Sequence, residues 1–78
     1  MDRYTLTFEG RMRFRRMMAR VGTESWEGAE DYEVLNFIYE HGSATLEEIA
    51  QHARLSWDQT TNRLMALMYH GFLEEVAG

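Results

Sequence analysis

Two segments of this chain carry the same four-residue helix-start pattern, Thr45-x-x-Glu48 and Ser56-x-x-Gln59, and the short distance between them limits what can form there. In each pattern the hydroxyl accepts from the backbone N–H three residues on. The Glu or Gln side chain reaches back to the backbone N–H of the hydroxyl residue, so two otherwise unpaired donors at the helix start are satisfied together. The first helix therefore has room for about two turns before the second begins. Within it Leu46, Ile49, Ala50 and Ala53 make a narrow apolar stripe. Arg54-Leu55 is then a tight link, with Leu55 placed to plug the corner.

The second helix is longer. Thr60, Leu64, Leu67 and Met68 recur at helical spacing on its inner side, it runs to Tyr69 or His70, and Gly71 stops it. Phe72-Leu73-Glu74-Glu75-Val76 can follow as a strand. Helix, tight turn, helix and returning strand is a helix-turn-helix arrangement, in which the longer helix is free to present one face.

Ahead of this unit, residues 3–8 alternate and place Tyr4, Leu6 and Phe8 on one side of a short strand. Thr7 can cap a helix starting at Phe8 or Glu9, in which Phe14, Met17, Met18 and Val21 fall on one stripe and Gly22 is the stop. Residues 22–28 read as a loop, with Trp26 available to tuck onto the core. A further helix spans Ala29 to His41, with Tyr32, Leu35, Ile38 and Tyr39 inward, Val34 and Phe37 flanking, and Gly42 at its end. The expected organisation is one domain over 1–78: a strand and basic helix at 3–21, a loop at 22–28, and the helix-turn-helix core with a terminal strand at 29–78.

The run Ala44-Thr45-Leu46-Glu47-Glu48-Ile49-Ala50, then Leu55-Ser56, then Thr60, Leu64, Leu67, Gly71, Phe72 and Leu73 resembles the winged helix-turn-helix family of prokaryotic regulators, as in the MarR-like, ArsR-like and Lrp-like proteins. In that family a Ser or Thr opens the recognition helix. Apolar positions follow four, eight and eleven residues on, and a Gly-apolar-apolar ending leads into the wing. The resemblance covers about residues 30–76. It implies a mainly α fold with a small β element: three to four helices plus a two-stranded sheet. It also implies a cytoplasmic transcription regulator or accessory protein that binds duplex DNA without catalysis or cofactor.

Two departures shape the expected wing. The sequence reaches Gly78 directly after the first wing strand, and Tyr4-Thr5-Leu6-Thr7-x-x-Gly10-Arg11 looks like the strand and helix that follow a wing tip. The expectation is that strand 3–8 pairs with strand 72–76, rebuilding a wing-like sheet in permuted order. The competing reading is that the likeness of these few residues is coincidental.

Charge divides the chain and bears on its partner. Residues 1–22 carry six arginines against two acids, a balance of +4, whereas residues 23–78 carry two arginines against eleven acids, a balance of -9; together they give the net -5. Affinity for the phosphate backbone rests on cationic side chains, so a nucleic-acid footprint has to draw on the first segment. With no cysteine, disulfides and thiolate metal sites are excluded. No apolar run approaches the ~20 residues of a membrane span, and the N-terminus lacks the apolar segment of a signal peptide.

The exposed face of helix 57–69 supplies the candidate residues. For DNA these are Trp57, Gln59, Thr61, Asn62 and Arg63, since Arg suits guanine edges, Asn suits adenine and Thr can meet a thymine methyl group. Arg11, Arg13 and Arg16 would contact phosphates, although the same arginines, with Arg15 and Arg20, can equally face an acidic partner or pair internally. For a protein partner or a homodimer the candidates are Trp57, Met65 and Tyr69, because aromatics and Met are enriched in interface centres. The alternative for these three is that helix 10–21 covers them and completes the core. The histidines His41, His52 and His70 lie on separate elements without metal-ligand spacing. Glu47/Glu48 and Glu74/Glu75 fall on an exposed cap and a strand, so neither a metal nor a catalytic site is expected.

Overall fold

Local capping chemistry sets the helix starts. In the computed structural model, which describes residues 2–19 and 29–77, the elements run β1 (Arg3–Leu6), α1 (Phe8–Met18), α2 (Ala29–His41), α3 (Leu46–Ala53), α4 (Trp57–Tyr69) and β2 (Leu73–Val76). The loop and helix end expected around Val21, Gly22 and Trp26 lie outside the described residues. Both capping boxes close: Thr45 with Glu48 at 2.9 and 3.2 Å, and Ser56 with Gln59 at 2.9 and 3.1 Å. Between them α3 ends on Arg54 in the left-handed conformation (φ 58°), and the Leu55 N–H donates to Ala50 at 3.1 Å. This residue turns the chain sharply enough for α4 to start at Trp57 and cross α3.

The two ends of the chain form the sheet. β1 and β2 pair antiparallel, with Arg3 opposite Val76, Tyr4 opposite Glu75, Thr5 opposite Glu74 and Leu6 opposite Leu73. On its other edge Tyr4 exchanges two backbone hydrogen bonds with Ala44, at 2.7 and 3.0 Å. β1 is thus held between β2 and Ala44, the residue ahead of the α3 cap. Among the described residues the architecture is mainly helical, with four helices and a two-stranded sheet of the N- and C-terminal strands.

Thr7 and Gly10 join this sheet to α1. The Thr7 hydroxyl accepts from the Gly10 N–H at 2.8 Å and donates to the Gly71 carbonyl at 2.6 Å, while the Thr7 N–H donates to Phe72 O at 2.9 Å. Gly10 faces the Phe72 backbone so closely that a Cβ there would run into the Phe72 carbonyl oxygen and stand 2.7 Å from its Cα. Only a glycine lets α1 lie against this corner.

The core gathers Phe14, Val34, Leu35, Ile38, Ile49 and Leu64, all essentially inaccessible to solvent. Phe14 lies between Tyr32 and Tyr39, with ring centroids at 5.6 and 5.5 Å, which fastens α1 to α2. The buried Thr60 hydroxyl donates to Ser56 O at 2.8 Å, which offsets the cost of taking this polar group out of water.

Several expectations change. β1 stops at Leu6 because Thr7 is already the helix cap, so alternation ends there and Phe8 opens α1 on its outer side, 81% exposed. Met18 points outward as well. On α2 the flanking Val34 is fully buried, whereas Tyr32 and Tyr39 are half-buried, their rings packing around Phe14 at the rim. Among the described residues no helix is long and apolar enough to cross a membrane.

Candidate interaction surface

α4 is built into the core along one side only. Thr60, Leu64 and Leu67 are buried, while Trp57 (61%), Met65 (59%) and Tyr69 (87%) are exposed, together with Asp58, Asn62 and Ala66. Trp57, Thr61, Met65 and Tyr69 follow one another at four-residue steps and form a single ridge along the helix. α1 does not cover this ridge, contrary to the possibility that it completes the core there. α1 packs instead at the C-terminal end of α4, where Gly10 meets Phe72.

The residues expected to read DNA are largely occupied within the chain. The Gln59 side-chain oxygen accepts from the Ser56 N–H as part of the cap. The Thr61 hydroxyl donates to the Trp57 carbonyl at 2.9 Å. Arg63, expected on the exposed face, is half-buried and pairs with Asp31 of α2 at 3.5 Å. Asn62 is exposed, and with Gln59, Arg63 and Ala66 it lines a shallow hollow of about 200 Å³.

The arginines of α1 gather elsewhere. Arg13 donates to the His70 carbonyl at 3.0 Å and lies 4.0 Å over the Phe72 ring. Arg11 lies 5.5 Å over the Tyr39 ring. Arg15 and Arg16 are exposed, the Arg16 Nε reaching Met12 O at 3.5 Å. Among the described residues none of these four pairs with an acid. At 1.5 Å per residue, the His70 end where Arg13 sits is ~20 Å from the Ser56 end of the helix. The basic helix and the start of α4 are therefore at opposite ends of the same element.

Around the start of α4 the charges are negative. Asp2, Tyr4, Leu46, Glu47 and Trp57 line a cleft of about 280 Å³ between the outer end of the sheet and the first turns of α3 and α4, with Asp58 next in sequence. Of these residues the sequence pointed only to Trp57. Asp2 and Tyr4 reach the cleft through the chain-end sheet, which no local pattern near Trp57 announces. A hydrogen bond with Asp2, and then the Asp2 charge, raise the Glu75 carboxyl above its ordinary range. Burial, followed by the Glu75 and Asp2 charges, raises the Tyr4 phenol. Glu48 differs: the Thr45 backbone N–H, assisted by Arg3, holds its carboxyl below the ordinary range. Arg3 is itself engaged, donating to Ser43 Oγ at 2.9 Å and Ser43 O at 3.1 Å.

The histidines are dispersed. His41 bonds Phe37 O at 2.9 Å, His52 lies 3.3 Å from Glu33 and stacks on Phe37, and His70 caps α4. Among the described residues no three potential metal ligands come together. Comparison with family models, with curated proteins and with solved structures yields no match.

Proposed function

We propose that this chain is a non-catalytic helix-turn-helix recognition module that docks on another protein through the outer ridge of α4. The observation that carries the proposal is the exposure of Trp57, Met65 and Tyr69 along one side of a helix whose other side is fully used by the core. Large apolar side chains lined up in this way match the composition of interface centres, where Trp and Tyr contribute most of the binding energy. Duplex DNA, the partner that the winged-helix resemblance implies, is less well served. Asp2, Glu47 and Asp58 surround the start of α4, Arg63 is paired with Asp31, and Arg13 of the basic helix sits at the far end of α4 on the His70 carbonyl. Phosphate binding requires cations where these carboxylates stand.

A labelled mixed-sequence duplex tests the choice by fluorescence anisotropy at low salt. With protein up to about 100 µM, the weak end of non-specific DNA affinities, the signal stays flat. A rise that weakens with salt, and that Asn62→Ala or Arg63→Ala diminishes, overturns the proposal in favour of DNA.

A further inference from the structure

We infer that the cleft at the start of α4 receives an arginine side chain of the docked protein. The inference rests on α4 being a protein-docking helix, and it specifies the chemistry of what docks. The lining combines aromatic, aliphatic and acidic residues: Trp57 and Tyr4, half-buried Leu46, and Asp2 and Glu47. A guanidinium can lie flat on an indole, where cation–π attraction is strongest, and still direct its N–H fork at carboxylates. At about 280 Å³ the cleft falls at the small end of ligand pockets, which suits one side chain and not a cofactor.

Among the described residues no cation neutralises its negative charge. The Glu47 side chain makes no hydrogen bond or ion pair with any described residue, unlike that of its neighbour Glu48, which serves the cap and Arg3. Asp2 and Glu75 crowd each other at the same end of the sheet, and the nearby cation, Arg3, is held by Ser43 and Glu48. Trp57 is the first residue of α4, where neither the cap nor the core needs an indole. The open position is therefore one for a cation brought from outside. An arginine there would also anchor the partner at the end of the ridge opposite Tyr69.

The test is a titration of the whole chain with N-acetyl-arginine methylamide, followed by amide and indole NMR shifts, with the citrulline analogue as the neutral isostere. The arginine probe gives saturable shifts at Trp57, Leu46 and Glu47, and Glu47→Gln or Trp57→Leu weakens them about tenfold. Both positions are exposed, so the variants keep their fold, which the unchanged remainder of the spectrum verifies. Equal shifts with citrulline, shifts spread over all the acidic residues, or no saturable shift overturn the inference. Its failure is separable from that of the docking proposal. If Tyr69→Ala abolishes binding of the partner while Glu47→Gln and the arginine probe do nothing, the cleft is wrong and the docking helix stands. If the probe binds the cleft but Met65→Ala and Tyr69→Ala leave partner binding intact, the docking ridge is wrong.

Discussion

The two ends of α4 are made of different material. At the C-terminal end the side turned toward the chain ends is closed: Thr7 bonds the Gly71 carbonyl, Gly10 fits against the Phe72 backbone, and Arg13 covers the Phe72 ring and the His70 carbonyl, leaving only the outer face with Tyr69 open. At the N-terminal end Trp57 stands exposed over a cleft rimmed by Asp2 and Glu47. One end joins the two chain termini into the fold, and the other leaves aromatic and charged groups that no described residue satisfies. Stability and recognition are thus separated along a single helix, so each can be altered alone.

The closed end should break first. Gly10→Ala drives a methyl group into the Phe72 backbone, which cannot yield as a flexible side chain would. Overpacking of this kind costs about 3 kcal/mol, and for a domain of this size it lowers Tm by more than ~10 °C. Thr7→Ala, which removes the α1 cap and the bond to Gly71, should cost about 1–2 kcal/mol. Thermal unfolding followed by circular dichroism measures both. Trp57→Ala, Met65→Ala and Tyr69→Ala, at the open end and along the ridge, should each change stability by less than about 0.5 kcal/mol while removing partner binding. A loss of stability at Trp57 as large as that at Gly10 would erase the distinction between the two ends.

Much of this division is written in short-range sequence. Thr7, Thr45 and Ser56 announce three helix starts, and Gly42 and Gly71, at φ 85° and 83°, take the left-handed backbone at two helix ends. The pairing of β1 with β2 was readable only because Thr7-x-x-Gly10 followed a strand pattern at one terminus and Gly71-Phe72-Leu73 preceded one at the other. The corner after α3 carries no glycine; Arg54 adopts the left-handed conformation there, which composition does not signal. The site was less legible. Spacing along α4 found the ridge, but the Arg63–Asp31 pair depends on how α2 crosses α4. The joining of Asp2 and Tyr4 to Trp57 depends on a sheet made from residues some seventy positions apart. Helical periodicity also assigned Met18 inward, and strand alternation did the same for Phe8, because neither pattern locates where an element ends.

The smallest expected effect concerns charge at the open end. The folded state holds the Glu75 proton more tightly than the unfolded chain does, because Asp2 accepts it and repels the ionised form. This group therefore favours folding below its unfolded pKa, and that contribution is lost as pH rises through the raised folded value. At neutral pH Glu75→Gln should accordingly stabilise the protein slightly, and the gain over wild type should vanish below the carboxylate range. Glu48 has the opposite sign: its lowered folded pKa favours folding above the unfolded value, and the benefit is lost as pH falls through the folded one. Urea denaturation of wild type, Glu75→Gln and Glu48→Gln across acid to neutral pH separates the two.

Whether the outer ridge of α4 docks on protein can be read by site-specific photo-crosslinking in the source cells. A benzophenone side chain is placed at position 65 of the ridge or, as a control, at exposed Gln51 on α3. Position 65 should give one discrete protease-sensitive adduct and position 51 none. A nuclease-sensitive adduct from position 65, or equal adducts from both positions, would contradict docking on protein.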